Sequence, residues 1–148
     1  MSRTARLRVR DIMSRDPVTI APDAPLGAAL TAMQARGIRH LPVVEPDGPL
    51  IGIVTDRDLR QATLARFHAV RDAERDLLVQ DFMTCAVVTI DAEALVPRAA
   101  RLMFERRIGS LPVVEAGRLV GIITERDLLR ALIRESPARA PAVEPFLW

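Results

Sequence analysis

The sequence contains no lysine, because all 21 of its basic residues are arginines. A chain without lysine has no Walker A lysine for nucleotide phosphates, no lysine for Schiff-base chemistry and no desolvated lysine that acts as a general base. Any bound phosphate must therefore be held by arginine, by histidine or by the free amides at a helix N-terminus.

Cysteine, aromatic residues and long apolar runs are also scarce. Cys85 is the one cysteine, so the chain cannot form an intramolecular disulfide, and a reducing compartment is expected. Aromatic residues make up 3% of the chain, which disfavours the stacking platform of single-strand RNA-binding proteins. No apolar run approaches the roughly 20 residues of a membrane span, and no apolar segment follows the arginine-rich start as it would in a secretory signal. We therefore expect a soluble, cytoplasmic protein without membrane association.

Catalytic and metal-binding signatures are missing as well. The chain has two histidines, His40 and His68, and neither a Gly-x-Ser-x-Gly elbow nor a Gly-x-Gly-x-x-Gly loop. A zinc site would have to combine Cys85 with both histidines and carboxylates, without a closely spaced pair of ligands to start it. The sequence therefore predicts neither an enzyme nor a metal-binding protein, and no required cofactor.

The main feature that is present is an internal repeat. The segment Val9–Met13 returns 70 residues later as Val79–Met83, and the motif Leu-Pro-Val-Val-Glu occurs intact at both Leu41–Glu45 and Leu111–Glu115. The motif Gly-Ile-Val-Thr-Asp-Arg-Asp-Leu, which starts at Gly52, returns 69 residues later with two conservative changes. The register thus slips by one residue in a turn, where a length change costs least.

Each copy has the pattern of the same five elements. An extended stretch precedes an amphipathic helix, two short apolar strands follow, and a second helix begins at a threonine. The apolar positions of these helices are Leu26, Ala29, Leu30 and Met33 in the first copy, and Val96, Ala99, Ala100, Met103, Leu128, Leu132 and Ile133 in the second. The order β-α-β-β-α, twice, predicts an α+β fold of the α/β type. Because a unit of about 60 residues buries too little surface to be stable alone, the two repeats should pack together with pseudo-two-fold symmetry.

Domain boundaries follow from the repeat. We expect a flexible arginine-rich arm over residues 1–8, a first repeat over 9–70, a charged linker over 71–78, a second repeat over 79–135 and a proline-rich tail over 136–148.

The start of each closing helix carries candidate functional residues. Thr55 with Asp58, and Thr124 with Asp127, match the helix capping box, which explains them without a ligand. The same helix N-termini also offer free amides to a phosphate, and a nearby carboxylate can accept both hydroxyls of a ribose. Gly52, and Gly121 in the second copy, are expected to leave open backbone that a ligand could approach closely.

The paired Asp-Ile-Met, Leu-Pro-Val-Val and Gly-x-x-Thr-x-x-Asp motifs, spread over roughly residues 9–133, resemble a tandem CBS-domain protein, also called a Bateman module. The resemblance implies a stand-alone regulatory module with two repeats. Such modules bind adenosine-containing ligands, namely AMP, ADP, ATP, S-adenosylmethionine or NAD, in clefts between the repeats, and signal to a protein partner through the packing of a homodimer.

The resemblance also implies roles for individual residues. It assigns ribose and phosphate binding to the two Gly-x-x-Thr-x-x-Asp motifs, Gly52/Thr55/Asp58 and Gly121/Thr124/Asp127. Arg39 and His40 lie where similar modules contact phosphates, whereas the second copy has Gly109-Ser110 there, so two unequal clefts are expected. Arg57 and Arg126 either face phosphate or pair with acids on the helix surface. The remaining candidates bracket an adenine or are ordinary strand residues of the core: Val18, Thr19, Ile20, Val88, Thr89 and Ile90.

Two functions from different classes follow. The first is a sensor whose regulatory ligand is an adenine nucleotide or S-adenosylmethionine. The second is a dimerising interaction module whose arm, with Arg3, Arg6, Arg8 and Arg10, binds nucleic acid or an acidic partner. The four arginines lie within eight residues, and such a segment more often forms a solvated arm than a binding site. The net charge of the chain is only +2, so nucleic acid is the less expected partner.

Overall fold

The computed structural model describes residues 2–68 and 77–136, and within them it confirms the repeated α+β architecture. The predicted linker is therefore described only at residues 77 and 78, and the predicted tail only at Ser136. The elements of the first half are α1 (Val9–Ile12), β1 (Ser14–Arg15), α2 (Leu26–Arg36), β2 (His40–Val44), β3 (Leu50–Thr55) and α3 (Asp56–His68). Those of the second half are β4 (Ile90–Asp91), α4 (Val96–Arg106), β5 (Ser110–Glu115), β6 (Arg118–Thr124) and α5 (Glu125–Glu135), with short 3-10 turns at Thr4–Arg6 and Val79–Asp81.

Each repeat is built around an antiparallel hairpin. In the second repeat β5 pairs with β6, β4 runs parallel to β5, and β1 lies antiparallel to the other edge of β6. The first repeat has the same arrangement around β2 and β3, with a parallel bridge from Ile20 to Val43 and an antiparallel bridge from Ile53 to Thr84. The pairing in the two sheets therefore follows the sequence repeat.

The outer strand of each sheet comes from the opposite repeat. Strand β1 precedes the hairpin of the first repeat but pairs with β6 of the second. In the same way Thr84 lies near the start of the second repeat but forms two backbone hydrogen bonds, at 2.9 and 3.0 Å, with Ile53 of the first. The cores are exchanged in the same way, since Val9 is buried in the second core and Val79 in the first. Each repeat consequently completes the other, as expected for units too small to fold alone.

The equivalent glycines of the two hairpins, Gly52 and Gly121, accommodate this exchange. A Cβ atom at Gly52 would lie 2.6 Å from the Met83 sulfur, and one at Gly121 would lie 2.6 Å from the Met13 sulfur. The expectation that both glycines leave open backbone for a ligand is therefore wrong, because a methionine of the exchanged segment already fills that space.

The helices cover one face of each sheet and leave apolar side chains outside. Leu26, Ala29 and Met33 of α2 are buried as predicted, and so are Val96, Ala99 and Met103 of α4. The predicted inner faces are too wide, however, because Leu30, Leu132 and Ile133 are 47%, 54% and 72% exposed. A helix that lies on a sheet buries only the stripe that faces the sheet, and these residues lie beyond it.

The N-terminal segment is docked, which corrects the expectation of a flexible arm. Thr4 is buried, Leu7 accepts a backbone hydrogen bond from Val96 at 2.9 Å, and the Glu135 carboxylate accepts hydrogen bonds from the Arg3 amide and from the amide and hydroxyl of Thr4. The Thr4 hydroxyl, as the main cause, lowers the pKa of Glu135. The segment is therefore part of the folded second repeat.

Two of the arm's arginines are already paired. Arg8 lies 3.4 Å from a carboxylate oxygen of Glu93 and donates a hydrogen bond to its backbone carbonyl at 2.7 Å. Arg10 pairs with Glu93 and, at 2.9 Å, with Glu115. These contacts reduce the positive charge that the arm could offer to nucleic acid.

Candidate functional site

A cavity of about 440 Å³ opens between the two repeats. The first repeat contributes the start of α3 and the start of β2, and the second contributes the segment after Met83 and the turn between α4 and β5. The lining residues are Arg39, His40, Ile53, Thr55, Asp56, Arg57, Asp58, Thr84, Ala86, Val87, Val88, Arg107, Ile108, Gly109, Ser110, Pro112 and Glu125.

The hairpin places the basic pair and the capping box of the first repeat on one wall of this cavity. His40 is the cross-strand partner of Thr55 in the β2–β3 ladder, and the Asp56 amide donates to the Arg39 carbonyl at 3.0 Å. The sequence alone left open which acidic residue faces Arg39 and His40. In the structure Arg39 and His40 line the same cavity as Asp58, the aspartate of their own repeat.

Both closing helices begin with the predicted capping box. The Asp58 Oδ2 atom accepts hydrogen bonds from the Thr55 amide at 2.7 Å and hydroxyl at 3.0 Å, and the Thr55 hydroxyl accepts from the Asp58 amide at 3.3 Å. The pair of Thr124 and Asp127 repeats the three bonds at 2.8, 3.0 and 3.3 Å. One carboxylate oxygen of each aspartate is thus used by the fold, which leaves Oδ1 for other partners.

The second carboxylate oxygen distinguishes the two copies. Asp127 is 7% exposed, and its Oδ1 atom lies 3.5 Å from the Arg130 guanidinium. The first repeat has Gln61 at the position of Arg130, Asp58 is half-buried, and among the described residues it forms no ion pair. Asp58 therefore lines the cavity with no guanidinium paired to it among the described residues, whereas Asp127 is paired within its own helix.

His40 lies where the two repeats meet. Its Nδ1 atom is 2.9 Å from the hydroxyl of Ser110, the residue at the equivalent position of the second repeat. Burial, which outweighs the neighbouring carboxylates of Asp56, Glu125 and Asp58, lowers the pKa of His40, and the nearby Arg39 acts in the same direction. His40 is therefore a neutral hydrogen-bonding group at pH 7, and Arg39 is the cation of the pair.

Three guanidinium groups belong to the lining. Arg39 and Arg57 come from the first repeat and were predicted from the sequence, whereas Arg107 comes from the second repeat and was missed. The signal for Arg107 is present in the repeat alignment, since it stands where the first copy has the helix-ending Gly37. Glu125 was missed as well. The carboxylate of Asp56, in contrast, is paired with Arg60 at 2.7 Å.

The remaining predicted residues are more dispersed. Val88 lines the cavity, but Ile90 is buried in the second core and Ile20 is paired with β2, as strand residues would be. Thr19 and Thr89 are exposed, and Val18 packs against the first core. Other predicted residues line neither this cavity nor a second one of about 400 Å³ between α5 and the N-terminal segment: Gly52, Gly121, Thr124 and Arg126.

Metal ligands do not cluster within residues 2–64 and 77–136, where no three His, Cys, Asp or Glu residues approach one another closely enough to hold an ion. Cys85 is exposed. A search of the same residues for a helix both long and apolar enough to cross a bilayer finds none.

Comparison with known protein families gives a match over most of the chain. The model of the CBS domain matches twice, at residues 9–65 and 79–134. A CBS domain-containing protein of Dictyostelium discoideum is 41% identical over 135 residues, and the match covers 87% of this chain and 93% of that protein. An inosine-5'-monophosphate dehydrogenase of Methanocaldococcus jannaschii is 35% identical, but this chain spans only 22% of its length.

Solved structures of similar fold include ligand complexes. The CBS domain pair of protein MJ0100, in complex with 5'-methylthioadenosine and S-adenosyl-L-methionine, superposes with a TM-score of 0.75 at 28% identity, covering 88% of this chain and 98% of that one. CBSX2 in complex with AMP also has a TM-score of 0.75 at 28% identity, covering 86% and 96%.

Proposed function

The chain belongs to the CBS domain family, and from this we propose that it is a regulatory module that binds an adenosine-containing ligand in the cavity between its repeats. The observation that carries the proposal is the convergence of Thr55, Asp58 and Arg39 on one cavity at the start of α3. Two structural neighbours, at a TM-score of 0.75, bind AMP or S-adenosyl-L-methionine and 5'-methylthioadenosine.

The chemistry of the lining suits the three parts of a nucleotide. The free oxygen of Asp58 can accept ribose hydroxyls, since its other oxygen is occupied by Thr55. Arg39 and Arg57, beside the positive end of the α3 dipole, offer charged donors to a phosphate. Ile53, Val88 and Ile108 provide apolar walls for a base. We assign the adenine to these walls.

The opposite cleft, at the start of α5, is proposed to be the weaker site. Gly121, Thr124 and Asp127 match the family's motif in sequence, yet Asp127 is paired with Arg130. In the second repeat Gly109 and Ser110 stand at the positions of Arg39 and His40, so that repeat supplies no cation there. This cleft suits a less charged adenosyl group, such as that of S-adenosylmethionine, or stays empty.

The chain itself is proposed to have no catalytic activity. The enzyme among the relatives named above contains the shared region as 22% of its length, so the similarity does not extend over most of that enzyme. Neither of the two described cavities has a cluster of metal ligands among its lining residues. We propose that the ligand acts as a regulator and not as a substrate or a required cofactor.

The homodimer is proposed from the apolar side chains that the fold leaves outside. Leu129, Leu132, Ile133 and Phe104 on α5 and α4 are 60%, 54%, 72% and 86% exposed. Exposed apolar residues grouped in this way mark an interaction surface. Helix α5 begins at the capping box of Asp127 and carries part of this surface, so a ligand bound at the start of α5 can act on the surface through the helix. Helix α3 begins at the capping box of Asp58 and carries the exposed Leu64, so a ligand bound at its start can act through α3 in the same way. Dimer packing is the proposed output that a protein partner reads.

We expect Leu132→Glu together with Ile133→Glu to give a monomer, because two buried carboxylates without partners cannot be accommodated at an apolar interface. Sedimentation equilibrium at a series of concentrations measures the mass. Leu95→Glu, at a leucine 47% exposed outside α4 and α5, is the control and should remain dimeric. A wild-type chain that is monomeric at all concentrations contradicts the dimer proposal.

Ligand binding itself is tested by titration calorimetry and thermal unfolding with adenosine, AMP, ADP, ATP, S-adenosylmethionine and NAD. At a hundredfold excess over its dissociation constant, a ligand that binds only the folded state should stabilise the protein by about 2.7 kcal/mol. Guanosine and GTP serve as controls for the base. No heat and no change in melting temperature with any of the six ligands would overturn the proposed function.

A further inference from the structure

The helix that ends beside the cavity terminates in an unfavourable backbone conformation. Helix α2 is capped at its C-terminal end by Gly37 with a φ of +62°, and α4 is capped by the equivalent Arg107 with a φ of +54°. In both helices this residue's amide donates to the helix carbonyls, including those of Met33 and Met103. Glycine adopts this left-handed conformation without steric cost, whereas an arginine does so only under strain. Stability alone would favour glycine at position 107, as in the first repeat.

Arg107, which directly follows α4, also lines the cavity. It lines the cavity together with Arg39 and Arg57, although those two belong to the other repeat. Arg106, one residue earlier, is exposed and does not belong to the lining. A strained residue at a candidate binding site points to a role for its side chain there.

The pseudo-symmetric position lacks this charge. In the repeat alignment Gly37 stands at the position of Arg107 and Gly109 at that of Arg39, so two of the three arginines in the lining have no basic counterpart. A phosphate chain bound at the first cavity would meet cations from both repeats. Three carboxylates also belong to the lining: Asp56 is paired with Arg60 at 2.7 Å, Asp58 accepts hydrogen bonds from Thr55, and Glu125 is the carboxylate that opposes a phosphate.

We propose that Arg107 is a specificity-determining residue that binds the phosphate groups of the ligand, so that the cavity prefers a phosphorylated nucleotide to the bare nucleoside. The proposal rests on the proposed function and deepens it, since it names the ligand class for one of the two clefts. Arg107 closes the cavity from the second repeat, and a phosphorylated ligand therefore joins the two repeats through charged hydrogen bonds.

The test is Arg107→Gly, because it removes the guanidinium and the strain together. The melting temperature of the unliganded protein should rise by about 2–4 °C. By calorimetry, the affinity for ATP should fall about tenfold or more, since charge-assisted hydrogen bonds are lost, while the affinity for adenosine changes less than about twofold. Higher stability with weaker phosphate binding is a combination that a purely structural residue would not produce.

Two control variants separate charge from strain. Arg106→Ala removes a neighbouring cation that does not line the cavity, and it should leave the ratio of the ATP and adenosine affinities unchanged. Ala116→Gly relieves a positive φ of +49° in the turn between β5 and β6, and it should raise the melting temperature without an effect on ATP.

The outcomes distinguish this inference from the proposed function. If the wild type binds both adenosine and ATP, and Arg107→Gly weakens both in equal proportion or neither, the role of Arg107 is refuted and the ligand-binding function stands. If the wild type binds none of these ligands, the proposed function is refuted, and the inference with it.

Discussion

Asp58→Ala is expected to lower the affinity for an adenine nucleotide about a hundredfold, because two hydrogen bonds from ribose to a charged oxygen are lost. Asp127→Ala should change the affinity of the same high-affinity site by less than about threefold. The reason is the location of the two carboxylates: Asp58 lines the cavity between the repeats, whereas Asp127 lines the second cavity, between α5 and the N-terminal segment, and is paired with Arg130.

The two variants lose the same cap bonds, and Asp127→Ala also loses the ion pair with Arg130. Each removes the side chain that accepts from the helix-opening threonine, Thr55 or Thr124, so each should lose about 1 kcal/mol of stability from the cap. Unfolding by urea measures this loss, and calorimetry measures the affinity. Asp58→Asn keeps an oxygen for the Thr55 amide and should weaken the nucleotide while most of the cap is retained. Equal losses of affinity in Asp58→Ala and Asp127→Ala would contradict the assignment of the cavity to Asp58.

Gly121→Ala is expected to destabilise the protein by about 1–3 kcal/mol, as overpacking of a closely packed site does. The new Cβ atom would lie 2.6 Å from the Met13 sulfur and 2.8 Å from the backbone oxygen of Ser14. A methionine side chain can rotate away, but the Ser14 carbonyl belongs to strand β1, which would have to move from β6.

Gly52→Ala should cost less than Gly121→Ala. It meets the Met83 sulfur at 2.6 Å, but the nearest backbone atom, the Thr84 oxygen, is 3.2 Å away. The free energy of unfolding in urea ranks the two variants. Gly27→Ala is the control, since no atom outside the neighbouring backbone of its own helix lies within 4 Å of its new Cβ and alanine favours the helix, so it should stabilise by up to about 1 kcal/mol. If Gly121→Ala were as harmless as Gly27→Ala, the close contact between the exchanged segment and β6 would not exist in solution.

These two predictions concern one property, the dependence of each repeat on the other. Thr84, which lines the cavity, is hydrogen-bonded to Ile53 of the opposite repeat, and Gly109 and Ser110 face His40 across the centre of the module. A ligand in the cavity thus contacts residues whose positions depend on how the repeats pack. This gives the proposed sensor a physical route from the site to the packing of the whole chain.

Much of the architecture was predictable from local pattern. The β-α-β-β-α order, the two hairpins and the caps at Thr55 and Thr124 follow from apolar periodicity and from side-chain chemistry within a few residues. Other features were predicted incorrectly. Leu30 and Ile133 were assigned to inner faces, because periodicity shows that a helix is amphipathic but does not show how wide a stripe its neighbour covers.

The amino-acid sequence by itself determined the duplicated fold, the absence of lysine and the choice of arginine, histidine and helix amides as the groups left to bind phosphate. Only the tertiary structure decided that β1 and Thr84 are exchanged between the repeats, that residues 2–8 are docked, that Asp127 is held by Arg130 and that Arg107 joins Arg39 at one cavity. The physical reason is that the first group depends on residue type and short-range spacing, whereas contacts between residues some 70 positions apart depend on how two similar surfaces pack.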